Sequence, residues 1–168
     1  MNRFDHVGVN VADLEAMTAW YVDALELEVE FEFALDHLDF RGVMLHSTAG
    51  HRIELLSRVG SVAGLQAPNP VEAALTRGFG HVAFDVPDVD AAYDGLLAVG
   101  ATDRMSPRPS PEPGVRMAYV ADPEGNLLEL LDRTVVSRRL PARPPQPPEV
   151  EEGALAPVSK PPSEGTQP

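Results

Sequence analysis

From Phe4 to Val11 the chain alternates, with Val7, Val9 and Val11 on one face and His6, Gly8 and Asn10 on the other, the period-two pattern of a half-buried strand. Asp13 follows as a helix cap, and Leu14, Met17, Tyr21, Ala24 and Leu25 recur at helical spacing. Glu28 to Leu35 alternates again, setting Val29, Phe31, Phe33 and Leu35 against Glu28, Glu30, Glu32 and Ala34. Phe40 to His46 and Arg52 to Ser57 read as two further strands joined by STAGH, where Gly50 is free to take positive φ. The order β-α-β-β-β then recurs. Phe79 to Val86 leads to Asp88 as cap, and a helix carries Val89, Ala92, Tyr93, Leu96 and Leu97 on one stripe as far as Gly100. A short strand is expected near Ala101 to Met105, then SPRPSPEPG as a loop unsuited to a ladder, then a hairpin of Val115 to Ala121 and Leu127 to Leu131 around DPEGN.

The recurrence is visible residue by residue. A shift of 75 positions carries Phe4 onto Phe79, His6 onto His81, Asp13 onto Asp88, Arg41 onto Arg116, Gly50 onto Gly125, Glu54 onto Glu129 and Arg58 onto Arg133, with no gap. This is the mark of a duplicated module. The expected organisation is a first module over 1–58, a linker over 59–78 with a short helix at Val71 to Leu75, a second module over 79–133, and a proline-rich tail over 134–168. The tail lacks aromatic residues and cannot bury enough apolar surface to offset its ordering entropy, so disorder is expected there.

Composition narrows the functions. The 168 residues include no cysteine, which excludes disulfides, thiolate metal sites and a cysteine nucleophile. The tail holds equal numbers of acidic and basic groups, so the formal charge of −13 belongs to the patterned body. Such a body is a poor partner for nucleic acid or an anionic membrane, and a small-molecule substrate is expected instead. The opening MNRFDHVG shows no basic-then-apolar leader, which points to a cytoplasmic protein.

The candidate chemistry lies in four residues that obey the shift. Glu54 in RIELLS and Glu129 in NLLELLD sit among leucines and isoleucine, where an ionised carboxylate needs a positive partner. His6 and His81 lie in neighbouring strands and supply neutral imidazoles. Taken singly, each is an ordinary strand residue; as a repeated set they suit a divalent ion such as zinc, nickel, cobalt, manganese or ferrous iron, with two coordination positions left for adjacent substrate oxygens. Arg41 and Arg116 also repeat, and either could hold a substrate anion. His37, His46 and His51 do not repeat and read as surface or loop residues.

DHVGVNVADL, GHVAFDVPDV and DPEGNLLEL resemble the characteristic segments of the vicinal oxygen chelate superfamily, the group of glyoxalase I, methylmalonyl-CoA epimerase, fosfomycin-resistance proteins and extradiol dioxygenases. The resemblance covers residues 4 to 133. It implies an α+β fold of two tandem βαβββ modules whose mixed sheets curl around a metal cleft, with ligands His6, Glu54, His81 and Glu129. It leaves open whether the modules meet within one chain or across a homodimer. Four ligands resemble the glyoxalase I and epimerase branch, whose chemistry is that of a lyase or isomerase, with Glu129 the first candidate for the base and Glu54 the second. A ring-cleaving dioxygenase and a non-enzymatic drug- or metabolite-binding protein are the alternatives. Asn10 stands where glyoxalase I looks as though it carries an arginine for glutathione, which makes Asn10 a candidate substrate contact and argues against that thiol.

Overall fold

The computed structural model describes residues 2–133, so the tail over 134–168 lies outside the described residues. The first module runs β1 (Val7–Asn10), α1 (Leu14–Ala24), β2 (Glu28–Leu35), β3 (Phe40–His46) and β4 (Arg52–Arg58). After a short helix α2 (Pro70–Ala73), the second runs β5 (Val82–Asp85), α3 (Val89–Ala98), β6 (Thr102–Pro109), β7 (Arg116–Ala121) and β8 (Leu127–Asp132). Each module builds one four-stranded mixed sheet, in the orders β1-β4-β3-β2 and β5-β8-β7-β6, curled rather than closed.

The shift of 75 seen in the sequence is kept in the ladders. Val7 lies beside Ile53 in the parallel pair β1–β4, and Val82 beside Leu128 in β5–β8. Asp13 accepts from the Ala16 amide and Asp88 from the Ala91 amide, so both helices start on the expected cap. Gly50 and Gly125 both turn their hairpins at positive φ, 90° and 94°.

Alternation decides the two faces of each sheet. Val43, Leu45, Ile53 and Leu55 pack with Leu14, Met17 and Tyr21 of α1. In the second module Ala118, Val120, Leu128 and Leu130 pack with Val89, Tyr93 and Leu96 of α3. Trp20, Leu25 and Phe84 touch both clusters and join the modules. Three polar ties reinforce that join. The Trp20 indole donates to the Val99 carbonyl (2.8 Å), the Tyr21 hydroxyl donates to buried Asp122 (2.9 Å), and the Ala12 and Asp13 amides donate to the Glu124 carboxylate (2.7 and 2.9 Å). The linker is docked as well, with Leu65, Ala67 and Ala73 packed on Ala121 and Leu127.

Two expectations need correction. SPRPSPEPG is not wholly a loop, because β6 continues through Ser106 to Pro109. Pro107 falls in the register shift between Met105 and Arg108, and Pro109 ends an edge strand, where a residue without an N–H is tolerated. The apolar side of β2 is also not a single face. A bulge between Val29 and Phe31 leaves Glu30 as the extra residue, so Val29 pairs with Leu45 while Phe31, Phe33 and Leu35 pair with Met44, Gly42 and Phe40 on the other face.

Candidate metal centre

The face of each sheet turned away from its helix carries the expected ligands. Gly8 is paired with Glu54 and Met44 lies on the far side of it, so His6, Gly8 and Glu54 share one face opposite Ile53 and Leu55. Asn10 lies on that face one step along β1. The imidazole Nε2 of His6 stands 3.5 Å from Glu54 Oε2. A Cβ at position 8 would make only ordinary contact with that carboxylate oxygen, at 3.7 Å, as befits the alanine at the equivalent place in the second module. In the second module His81 Nε2 lies 3.0 Å from Glu129 Oε2, with Ala83 paired to Glu129 as Gly8 is to Glu54.

Each histidine is thus joined to its own glutamate. Among the described residues, however, no three His, Asp or Glu side chains gather closely enough to hold an ion. Within one chain the four candidate ligands thus fall in two pairs, each with one imidazole nitrogen and one carboxylate oxygen. That donor set fits a borderline divalent metal, and two such halves facing each other would supply four ligands.

The neighbours of the two pairs differ. Tyr119 is the partner of Glu129 across β7–β8, and its ring meets the His81 ring edge-on with centroids 5.2 Å apart. Burial raises the Tyr119 phenol above its ordinary range, and the hydrogen bond to Glu129 and the charge of that carboxylate push the same way. Met44 holds the equivalent place beside Glu54. On the first sheet, Phe31, Phe33, Phe40 and Leu56 share the ligand face with Met44, and the Phe33 ring stacks loosely between Phe31 and Phe40.

Arg41 and Arg116 do not join the pairs. They alternate with the ligand-face residues and lie on the helix-covered side, where Arg41 binds Glu15 of α1 and Arg116 binds Asp90 of α3 through two hydrogen bonds. Each guanidinium holds its partner's carboxyl below the usual range. Glu15 and Asp90 are themselves 75 residues apart, so the repeat has preserved a tie between helix and sheet.

Sequence reasoning passed over two residues beside the pairs and one in the joint between modules. Asp5 lies beside the His6 ring, with Oδ1 2.7 Å from Nδ1. Its signal is adjacency to a candidate ligand. Tyr119 could have been found by applying the pairing of β7 with β8 to Glu129. Asp122 reads as a turn residue, and only the packing of α1 on that turn makes it buried.

Comparison with known proteins identifies the family. The chain is 25% identical over 145 residues to a probable lactoylglutathione lyase of Vibrio parahaemolyticus, covering 82% of this chain and 96% of the relative. It is 30% identical over 132 residues to biphenyl-2,3-diol 1,2-dioxygenase 3 of Rhodococcus globerulus, covering 76% of this chain and 62% of that enzyme. Among solved structures, the glyoxalase family protein from Enterococcus faecalis superimposes with a TM-score of 0.66 at 23% identity, over 77% of this chain and 97% of that one. Among the described residues no helix is long and apolar enough to cross a membrane. With the family model matching residues 3–130, the chain belongs to the Glyoxalase/Bleomycin resistance protein/Dioxygenase superfamily.

Proposed function

We propose that the protein is a metal-dependent lyase or isomerase of the glyoxalase type, acting on a small substrate chelated through adjacent oxygens, and that two copies of the chain build each site. The observation that carries this reading is the pair of half-sites in one register, His6 with Glu54 and His81 with Glu129. His6 and Glu54 of one copy would complete the ligand set with His81 and Glu129 of the other. The ion, when bound, would stabilise the negative charge that develops on the chelating oxygens as a carbon-bound proton leaves.

The remaining chemistry belongs to the chain. A carboxylate oxygen of Glu129, with Glu54 second in rank, takes the proton and returns it to the neighbouring atom. Asn10 offers an amide to a polar substrate group on the same face as Glu54. Phe31, Phe33, Met44 and Leu56 give that face an apolar floor, which suits a hydrophobic substituent and excludes water from the reacting carbon. Likeness to the biphenyl-diol dioxygenase favours a second reading, ring cleavage of a catechol on the same face.

Elemental analysis of the purified protein, followed by assay on hemithioacetals, acyl-CoA thioesters and catechols, separates these readings. Proton-transfer turnover abolished by chelation is expected; oxygen uptake with catechols would select the dioxygenase instead. A mixing experiment tests the shared site. His6→Ala/Glu54→Ala and His81→Ala/Glu129→Ala proteins are each expected to be inactive, and refolding them together should restore activity, because each mixed pair retains one intact set of four. No recovery on mixing sinks the two-copy site.

A further inference from the structure

The two half-sites are built unequally, and the difference lies behind the histidine of the first. We infer that Glu30, Arg52 and Asp5 form a positioning relay that orients His6 and fixes Nε2 as its metal-binding nitrogen. This rests on the reading of His6 as a ligand. The bulge residue Glu30 meets Arg52 through two hydrogen bonds, Nε to Oε2 at 2.8 Å and Nη2 to Oε1 at 3.0 Å. Arg52 Nη1 then donates to Asp5 Oδ1 at 2.9 Å, and the same oxygen lies 2.7 Å from His6 Nδ1.

The chemistry of the chain of contacts runs in one direction. A carboxylate can only accept, so Asp5 selects the form of His6 that carries its proton on Nδ1. The lone pair is then left on Nε2, the nitrogen that faces Glu54. An exposed aspartate would be a loose partner by itself, with 66% of its side chain accessible. Arg52 is only 26% accessible and is gripped by both oxygens of Glu30, which gives Asp5 a fixed anchor. The bulge itself is common to both modules, and what is particular to the first is the carboxylate of Glu30 as its extra residue, within reach of Arg52.

The second module keeps the bulge but not the charged chain of contacts. At the places corresponding to Asp5 and Arg52 it carries the uncharged Gly80 and Leu127, and its own bulge, between Asp103 and Met105, presents Arg104 where the first module has the carboxylate of Glu30. His81 is instead set against the Tyr119 ring. The relay is therefore an addition to one half of a duplicated site and not a requirement of the fold.

The test uses the full chain loaded with cobalt(II), whose paramagnetism shifts the exchangeable N–H protons of bound imidazoles away from the rest of the spectrum. In the unsubstituted protein the His6 Nδ1–H signal, assigned by its loss in His6→Ala, should persist because Asp5 protects it from exchange. In Asp5→Ala that signal should broaden into solvent exchange while the His81 signal stays, and cobalt affinity should fall by about tenfold or more. Arg52→Leu, which installs the residue of the second module, should give a smaller loss in the same direction. Asp5→Asn, which keeps an accepting oxygen, should recover most of the signal and part of the affinity. Unchanged affinity and an unchanged His6 signal in both Asp5→Ala and Arg52→Leu would overturn the relay while leaving the metal reading intact. Absence of cobalt binding in the unsubstituted protein would overturn the metal reading and the relay with it.

Discussion

Met44 and Tyr119 occupy the same place in the two halves of the chain, each beside the glutamate of its own sheet, yet one offers a thioether and the other a hydroxyl. The hairpin turns diverge in the same way. The Ser47 hydroxyl of the first module bonds within its turn, to His51, whereas the Asp122 carboxylate of the second is buried and gathers hydrogen bonds from α1 and from its own turn. Backbone register has survived duplication in both halves because it is fixed by strand pairing and by the need to bury one face. The side chains around it have been free to specialise, one half acquiring the clamp between modules and the other the support behind a histidine.

The turn offers the sharpest way to break that comparison. Asp122 accepts from the Tyr21 hydroxyl at 2.9 Å, from the Asn126 amide side chain and backbone at 2.8 Å each, and from the Glu124 amide at 3.0 Å. Asp122→Ala leaves these donors without a partner in a buried place, and should cost about 3 kcal/mol or more in urea unfolding. Ser47→Ala should cost under about 1 kcal/mol, since its half-exposed turn can be solvated. Equal losses would show that the second turn is no more a clamp than the first.

A second contrast lies on the ligand face. Gly42 is covered by the Phe33 ring so closely that a Cβ there would fall 2.3 Å from it, while Met117 stands at the equivalent place on β7. Gly42→Ala must push the Phe33 ring aside, with an expected loss of about 1–2 kcal/mol, and the reshaped apolar floor should raise KM more than it lowers kcat. Met117→Ala should leave KM almost unchanged. A Gly42→Ala protein with wild-type stability and KM would mean that the ring swings away freely and forms no part of the floor.

Much of this is legible in the sequence alone. Period two placed nearly every strand, the aspartate caps placed both helices, and the shift of 75 carried the two His–Glu pairs into equivalent registers. What was hidden depends on tertiary placement. The split of the β2 apolar run is invisible because a bulge changes which face a residue takes without changing the residues. The burial of Asp122 follows from α1 lying on a distant turn, and the falling of the four candidate ligands into two separate pairs is likewise a matter of tertiary placement. Neither is a local property of the chain.

The arginines are the most instructive case, and their substitution should have the smallest effect. Arg41 and Arg116 repeat as faithfully as the candidate ligands do, so repetition alone could not tell scaffold from site. Alternation could have, since both fall on the side of the strand that faces the helix, where Glu15 and Asp90 take them up. Arg41→Met and Arg116→Met should leave cobalt affinity and turnover unchanged and shift the thermal midpoint little, because exposed ion pairs contribute weakly. The sign of any pH effect is fixed by the carboxylates. Arg116 holds the Asp90 carboxyl below its ordinary range, so whatever stability the pair adds is present at neutral pH and is lost as the pH falls below that range. The Met variants should therefore differ from the unsubstituted protein at neutral pH and converge with it in acid. A fall of tenfold or more in kcat/KM for either variant, with unchanged stability, would place that arginine in contact with substrate.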